Sequence, residues 1–491
     1  MDAGYEMNVY FSDVFGVRKK TLDKYGAFNI SLVTDLPLFI DPFLLFNSRK
    51  NEYQGLHDQM LDYLAFIRDE ASAGNVSDGL LKAWLHFPEV KQNWLGFTQS
   101  GNTGRGLGLK FARALRANLQ KIFADFGKET VTKASHLEKL CLIEANVGRD
   151  MISDFTTNLI KGYLLNYTQV FAKKYIDSSL RKSVSVVRVR FNATTKTWES
   201  GTFDLPWFGD DFVLLTPIDI LTKDDTWINK TDLFRNYYEI PEAMPNDALR
   251  AQINHYFLSV LPKRPKKKDK DAAIAKTILQ FPEIIDYFIK YKEDHGDEAT
   301  KRSIEHVNAS IALYIEQFRQ VIDLLHRHTE FYSTSMATEE ETRKRILFLK
   351  DVIENKGGWR VFYNKNKPVA KETDLQILFR LTWFATPSDV SREVNDGRGS
   401  VDFKVSQGAG DKTLVEMKLA KNSQLERNLA NQVEIYQKAS DAAHGFKVIM
   451  YFSDDEHRKV ERILRKLKLG EKQNVIVIDA SKQTKASASK A

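Results

Sequence analysis

Near its C-terminus the chain changes from a helical repeat to strict alternation. Val401, Phe403 and Val405 alternate with Asp402 and Lys404, and Leu414, Val415, Met417 and Leu419 surround Glu416 and Lys418. A period of two predicts strands over both segments. Gln407-Gly-Ala-Gly-Asp411 between them is turn chemistry, which makes the pair a hairpin. Upstream, residues 371–383 predict a helix with an apolar face at Leu375, Leu378, Phe379 and Trp383. Downstream come a helix over 425–439, a buried strand at 446–452, a basic amphipathic helix (Arg458, Lys459, Arg462, Arg465, Lys466, Lys468) and a strand at 474–479. The order α-β-β-α-β-α-β predicts a mixed sheet flanked by helices.

The rest of the chain is mainly helical in pattern. Helices are expected over 52–75, 78–95, 109–126, 133–175, 241–261, 274–292 and 300–331. A strand is expected at 27–33, and 183–216 reads as a small antiparallel meander. Thr338 to Glu341 is a capping box, and Gly357-Gly358 a helix stop. The fold class expected is α+β and multidomain: a mostly helical N-terminal portion with a small antiparallel sheet, then a C-terminal α/β domain with a mixed central sheet. The divisions expected are 1–240 (recognition or regulation), 241–357 (helical), 358–480 (the hairpin domain) and a fraying tail at 481–491.

Composition narrows the class. A chain of 491 residues is too long for one core, and 43% hydrophobic with 28% charged residues describes a soluble globular protein. No apolar run reaches the length of a membrane span, and no signal peptide is visible. Cys141 is the single cysteine, so no internal disulfide can form, and a cytoplasmic location is expected. Its apolar neighbours predict a buried thiol. The net charge of +7 favours a polyanionic partner only weakly.

The chemistry concentrates in the hairpin. Residues two apart on a strand share a face, so Glu416 and Lys418 point the same way. With Asp402 on the adjacent strand, two carboxylates and one ammonium converge. Such a set suits a hard divalent cation, with the lysine orienting water or phosphate. Glu-x-Lys alone is common: Glu89 with Lys91 and Glu354 with Lys356 repeat it without a preceding strand that carries Asp. What sets Glu416 apart is order: Glu393, a Gly-Arg-Gly turn, Asp402 in one strand, then Glu416-x-Lys418 in the next.

That order resembles the PD-(D/E)xK, or restriction-endonuclease-like, nuclease superfamily over residues 370–480, about a quarter of the chain. Val401 stands where the pattern has Pro. The resemblance implies a restriction-endonuclease-like domain that cleaves phosphodiesters, most readily those of double-stranded DNA. It further implies Mg²⁺ (with Mn²⁺ able to substitute) held by Asp402, Glu416 and Glu393, and Lys418 beside the attacking water. Glu372 is a second candidate for the additional carboxylate, behind Glu393. Gln432-x-x-x-Tyr436 resembles the helix motif of the exonuclease-like branch. A homodimer or partner protein and a bacterial anti-phage role are expectations of the same kind. The competing reading is a non-catalytic nucleic-acid or protein interaction module that keeps the fold.

Elsewhere the bland readings dominate. Ser100 to Lys110 is Gly-rich but lacks a phosphate-loop spacing. Asp35 and Asp41 read as turn formers, Arg188 and Arg190 as a solvated sheet face, and Pro262 to Asp271 as a hydrated linker. His326 and His328 are two apart on a helix, a poor metal pair.

Overall fold

The computed structural model describes residues 9–482 apart from 74–76, 86, 97–128, 144–146, 224, 321–336, 365–366, 369–370, 384–385, 387, 396–399, 408–410, 431–441, 443 and 471. The chain is α+β, with a mainly helical N-terminal portion carrying a small antiparallel sheet and a C-terminal portion built on a five-stranded mixed sheet.

Helix α1 (Asn51–Ser72) buries Tyr53, Leu56, Met60, Tyr63, Leu64 and Ile67, the stripe that its three- and four-residue spacing dictates. The stretch 133–175 is broken. Gly148 opens α2 (Arg149–Leu159), and Ile160 separates it from α3 (Lys161–Tyr175). The helix expected over 78–95 stops at Leu85, ahead of Pro88. The meander is present. Strands β1 (Arg181–Asn192) and β2 (Thr197–Phe208) pair antiparallel with a bulge between Val186 and Arg190, and Asp211–Phe212 adds a short third strand. Arg190 pairs with Glu199 at 3.0 Å, and the Arg188 guanidinium lies over the Trp198 ring at 5.3 Å. Both arginines are thus engaged within the portion itself.

Residues 27–33 are not a strand. They are mostly buried but meet the rest through isolated bridges, Tyr10 with Ser31 and Ala27 with Pro217. An apolar run alone cannot separate a strand from buried irregular chain. Asp41 caps the short helix Pro42–Phe46 by accepting from Phe43 N at 3.0 Å, as its turn-forming type suggests. Cys141 is buried.

Helices α4 (Asp247–Val260), α5 (Lys267–Gln280), α6 (Glu283–Asp294) and α7 (Gly296–Ser310) follow, and α7 continues into a π-helical segment, Ile311–Gln317. Pro282 divides the stretch expected as one helix into α5 and α6. Much of the supposed linker is helical, since Lys267 to Asp271 form the first turns of α5, where solvent rather than a core receives their charges. The loop at 100–110, the helix at 109–126, and His326 and His328 lie outside the described residues.

The C-terminal sheet comprises β3 (Asp389–Asn395), β4 (Ser400–Gln407), β5 (Asp411–Leu419), β6 (His444–Tyr451) and β7 (Val475–Asp479), in the order β7-β6-β5-β4-β3. The pairs β3–β4 and β4–β5 are antiparallel; β5–β6 and β6–β7 are parallel. β3 is the strand the sequence pattern did not separate. Helix α8 (Thr338–Asn355) covers one face with Ile346, Leu349, Val352 and Ile353, against Val415, Met417 and Val448. Residues 425–430 and α10 (Asp454–Lys466) cover the other, where Leu425, Leu429, Val460, Ile463 and Leu464 pack with Ile449. Helix α9 (Glu372–Leu381) runs into the first core, and Phe379 meets Phe403 at a ring distance of 5.0 Å.

That core does not stop at the C-terminal sheet. It runs continuously through Tyr10, Phe11 and Phe28, through Tyr314 and Phe318, and into α8, α9 and the sheet. Polar contacts reinforce the seam. The Tyr10 hydroxyl donates to the Tyr314 carbonyl, the Tyr314 hydroxyl donates to Asp374 Oδ1 on α9, and Arg319 meets Asp13 at 2.6 Å.

Behind the sheet, Arg345 is fully buried, bonds Glu341 Oε1 at 2.7 Å and lies over the Trp383 ring at 4.5 Å. Glu341 also accepts from Thr386 and Ser388. Arg345→Ala would leave a buried carboxylate without its cation. It should lower the unfolding free energy by about 3–5 kcal/mol, read from urea denaturation.

Candidate active site

The site forms where β4 and β5 part. Their ladder runs from Gln407–Asp411 to Phe403–Val415, and the same register sets Asp402 opposite Glu416. Past Val415, Met417 N donates instead to the Asp402 side chain, Oδ2 at 2.5 Å. The carboxylate is therefore wedged into the opening between the strands. Alternation along β5 turns Val415, Met417 and Leu419 to the core and brings Glu416 and Lys418 to the other face. There Lys418 Nζ lies 2.8 Å from Glu416 Oε1, 3.3 Å from Asp402 Oδ2 and 3.2 Å from the Met417 carbonyl. The three residues singled out by pattern do converge, and all are buried, Glu416 to 3% exposure.

Helix α9 supplies a second layer from its first two turns. Gln376 Nε2 donates to Asp402 Oδ1 at 2.8 Å. Glu372 Oε2 lies 3.6 Å from Lys418 Nζ, while its Oε1 accepts from Asn422 Nδ2 at 2.8 Å and from Leu419 N at 3.3 Å. The carboxylate shown joining the cluster is thus Glu372, the candidate ranked second. Glu393 falls in β3, between the pairs Arg392–Phe403 and Val394–Val401, and its side chain lies outside what is described. Gln432 and Tyr436 also lie outside the described residues. Gln376 was missed in the sequence. The available signal was its position four residues after Glu372, one turn along the same helix face. The other Glu-x-Lys pairs have different roles: Lys91 pairs with Asp211 at 3.3 Å, and Glu354 on α8 accepts from Asp479 N at 2.8 Å.

Burial dominates the electrostatics. Loss of solvent, with the Asp402 charge adding to it, pushes the Glu416 carboxyl up to about 7. Burial also raises Asp402, against the pull of Lys418. For Lys418, burial favours the neutral amine, but Asp402, Glu416 and Glu372 together outweigh it and hold the ammonium above the usual lysine range. Lys418 therefore stays protonated at neutral pH and can donate hydrogen bonds, not act as a base.

A divalent cation fits this donor set. Glu416 Oε2 is buried and has no hydrogen-bond partner among the described residues. Three carboxylates face one ammonium, which leaves negative charge uncompensated. Among the described residues, no group of three or more His, Cys, Asp or Glu side chains is placed to hold a metal ion. Mg²⁺ does not need such a group: one or two carboxylates suffice, with water and substrate oxygens completing the octahedron.

Residues 16–229 match the model of a domain of unknown function (DUF8370), and residues 338–454 match that of a second domain of unknown function (DUF8371). The second match contains α8, α9 and strands β3 to β6, and with them Glu372, Asp402, Glu416 and Lys418. No curated protein and no solved structure matches the chain. No helix among the described residues is long and apolar enough to cross a membrane.

Two measurements test the electrostatics. The folded chain holds a proton on Glu416 up to about pH 7, whereas the unfolded chain releases it near the ordinary carboxylate value of 4.5. The stability this group contributes is complete below the unfolded value and is lost as pH rises through 7. Glu416→Gln should therefore stabilise the metal-free protein at pH 8 by roughly 1–3 kcal/mol and have little effect at pH 4.5, measured by denaturant unfolding. A Mg²⁺ ion taken up by this donor set near pH 7 would displace that proton, so the calorimetric binding enthalpy should then vary with the ionisation enthalpy of the buffer. Glu416→Gln should remove that dependence.

Proposed function

We propose that the C-terminal portion is a metal-dependent nuclease of the PD-(D/E)xK type, hydrolysing phosphodiester bonds of DNA. The observation that carries this reading is the convergence of Asp402, Glu416 and Lys418 from two adjacent strands, with a buried Glu416 oxygen left unpartnered among the described residues. Asp402 and Glu416 would hold the cation. When bound, Mg²⁺ or Mn²⁺ would supply Lewis-acid polarisation of the phosphate and a more acidic water.

The remaining work falls to the chain. Hydrolysis forms a bond from a water oxygen to phosphorus and breaks the bond from phosphorus to the leaving oxygen; the attacking water loses its proton to solvent, and the alkoxide takes one up from solvent. Lys418 donates hydrogen bonds toward the non-bridging oxygen or the attacking water, and its fixed charge offsets the charge that builds on the phosphate. Gln376 is a positioning residue that holds the orientation of Asp402, and Glu372 restrains the Lys418 ammonium from the side of α9. The N-terminal portion would select the target or gate the site, and the core it shares with α9 and the sheet supplies a mechanical route for gating.

Purified protein incubated with plasmid and linear DNA should cut both in Mg²⁺ or Mn²⁺ and neither in EDTA. Asp402→Ala and Lys418→Ala should each reduce the rate by about 10²-fold or more. DNA binding without metal-dependent cutting, under all these conditions, would favour the interaction module instead.

A further inference from the structure

We infer that Arg458, Arg462 and Arg465 form a docking ridge for the phosphate backbone of one nucleic-acid strand entering the site described above. The inference rests on the nuclease reading for its destination but on separate residues for its evidence.

The three arginines occupy positions i, i+4 and i+7 of α10 and so lie along one face of the helix. All are exposed, and with Lys459 and Asp455 they border a shallow recess of about 580 Å³. Arg458 is paired with Asp455 on the same helix. Arg462 and Arg465 have no ion pair among the described residues, so their charge is available to a partner. The helix rises about 1.5 Å per residue, so the ridge extends about 10 Å. That length suits two or three successive phosphates of one strand.

The position of the ridge supports the assignment. The opposite side of α10 packs Val460, Ile463 and Leu464 onto Ile449. Ile449 is the register partner of Lys418 in the parallel pair β5–β6. The ridge helix therefore covers the same face of the sheet that presents Glu416 and Lys418. A polar chain completes the link: Lys459 Nζ donates to the carbonyls of Ala420 at 2.7 Å and Asn422 at 2.8 Å, and Asn422 in turn donates to Glu372. Lys459 thus fastens the basic helix to the turn that touches the site.

Charge makes the arrangement purposeful. The site carries more carboxylates than cations, so a polyanion would be repelled by it at close range. A row of guanidinium groups on the outer side of the helix that covers this face offsets that repulsion and holds the strand by its phosphates. Such contacts are independent of base sequence and sensitive to salt.

The test is binding of a fluorescein-labelled single strand and of the matching duplex, measured by anisotropy in EDTA from 50 to 300 mM NaCl. Arg458→Gln/Arg462→Gln/Arg465→Gln should weaken binding. It should also reduce the slope of log affinity against log salt by about 0.9 per arginine on duplex, or about 0.7 on the single strand. Whichever substrate shows the loss identifies the strand's source. The control is Arg343→Gln/Lys344→Gln/Lys356→Gln, which removes an equal number of positive charges from the α8 side of the sheet and should leave the slope unchanged. Equal losses in both variants, or no loss in the first, overturn the ridge. If the triple variant melts earlier than wild type, Arg462→Gln alone carries the test, because it breaks no hydrogen bond or ion pair within the described residues. Binding in EDTA does not depend on cutting. A protein that binds through the ridge yet never cuts sinks only the nuclease reading, and one that cuts with ridge-independent binding sinks only this inference.

Discussion

The structure turns on one buried ammonium. Lys418 is held among Asp402, Glu416 and Glu372 in a place where solvent cannot screen the charges. Burying such groups is costly unless each is paired and hydrogen-bonded, so their geometry must be enforced from outside. The enforcement comes from the apolar side of the sheet. Phe403, Val415 and Met417 pack beneath α8 and fix the register of β4 against β5. A slip of one residue would send Glu416 and Lys418 into that core. Phe379 on Phe403 sets α9 along the same strand, which brings Glu372 and Gln376 into reach. The polar cluster is thus a consequence of apolar packing on the reverse face.

This explains which parts were legible in the sequence. Alternation fixes side-chain direction, so Asp402, Glu416 and Lys418 could be placed on one face before any coordinates. The fold class was legible for the same reason, since period-two and period-3.6 stretches segregate along this chain. The approach of Glu372 to the cluster was not legible. It depends on how far α9 leans over β5, a tertiary fact with no local signature. Gln376 was hidden too, because a polar residue on an amphipathic helix reads as solvated unless the neighbouring strand is known to carry a carboxylate. β3 was merged into the approach to β4 because the Gly-Arg-Gly segment between them weakens the alternation. Residues 27–33 failed in the opposite sense, having strand-like composition but no continuous partner to pair with.

Charge distribution adds something that net charge conceals. A balance of +7 over 491 residues is unremarkable. Yet the C-terminal sheet carries a carboxylate-rich centre and an arginine row on the same side, separated by one turn of chain held by Lys459. On the proposed reading, attraction and chemistry fall to different residues, so either can be altered without removing the other.

The continuity of the first core has a further implication for how such a chain can evolve. A nuclease attached by a flexible tether is a cassette, exchangeable between genes because its folding owes nothing to its neighbours. Here Tyr314 and Phe318 belong to the same packed interior as the C-terminal sheet, and Tyr10 belongs to it as well. Recombination between the two matched regions would therefore split a single interior and leave each fragment with an uncovered apolar surface. The halves are constrained to drift together, as an inherited unit rather than as interchangeable parts.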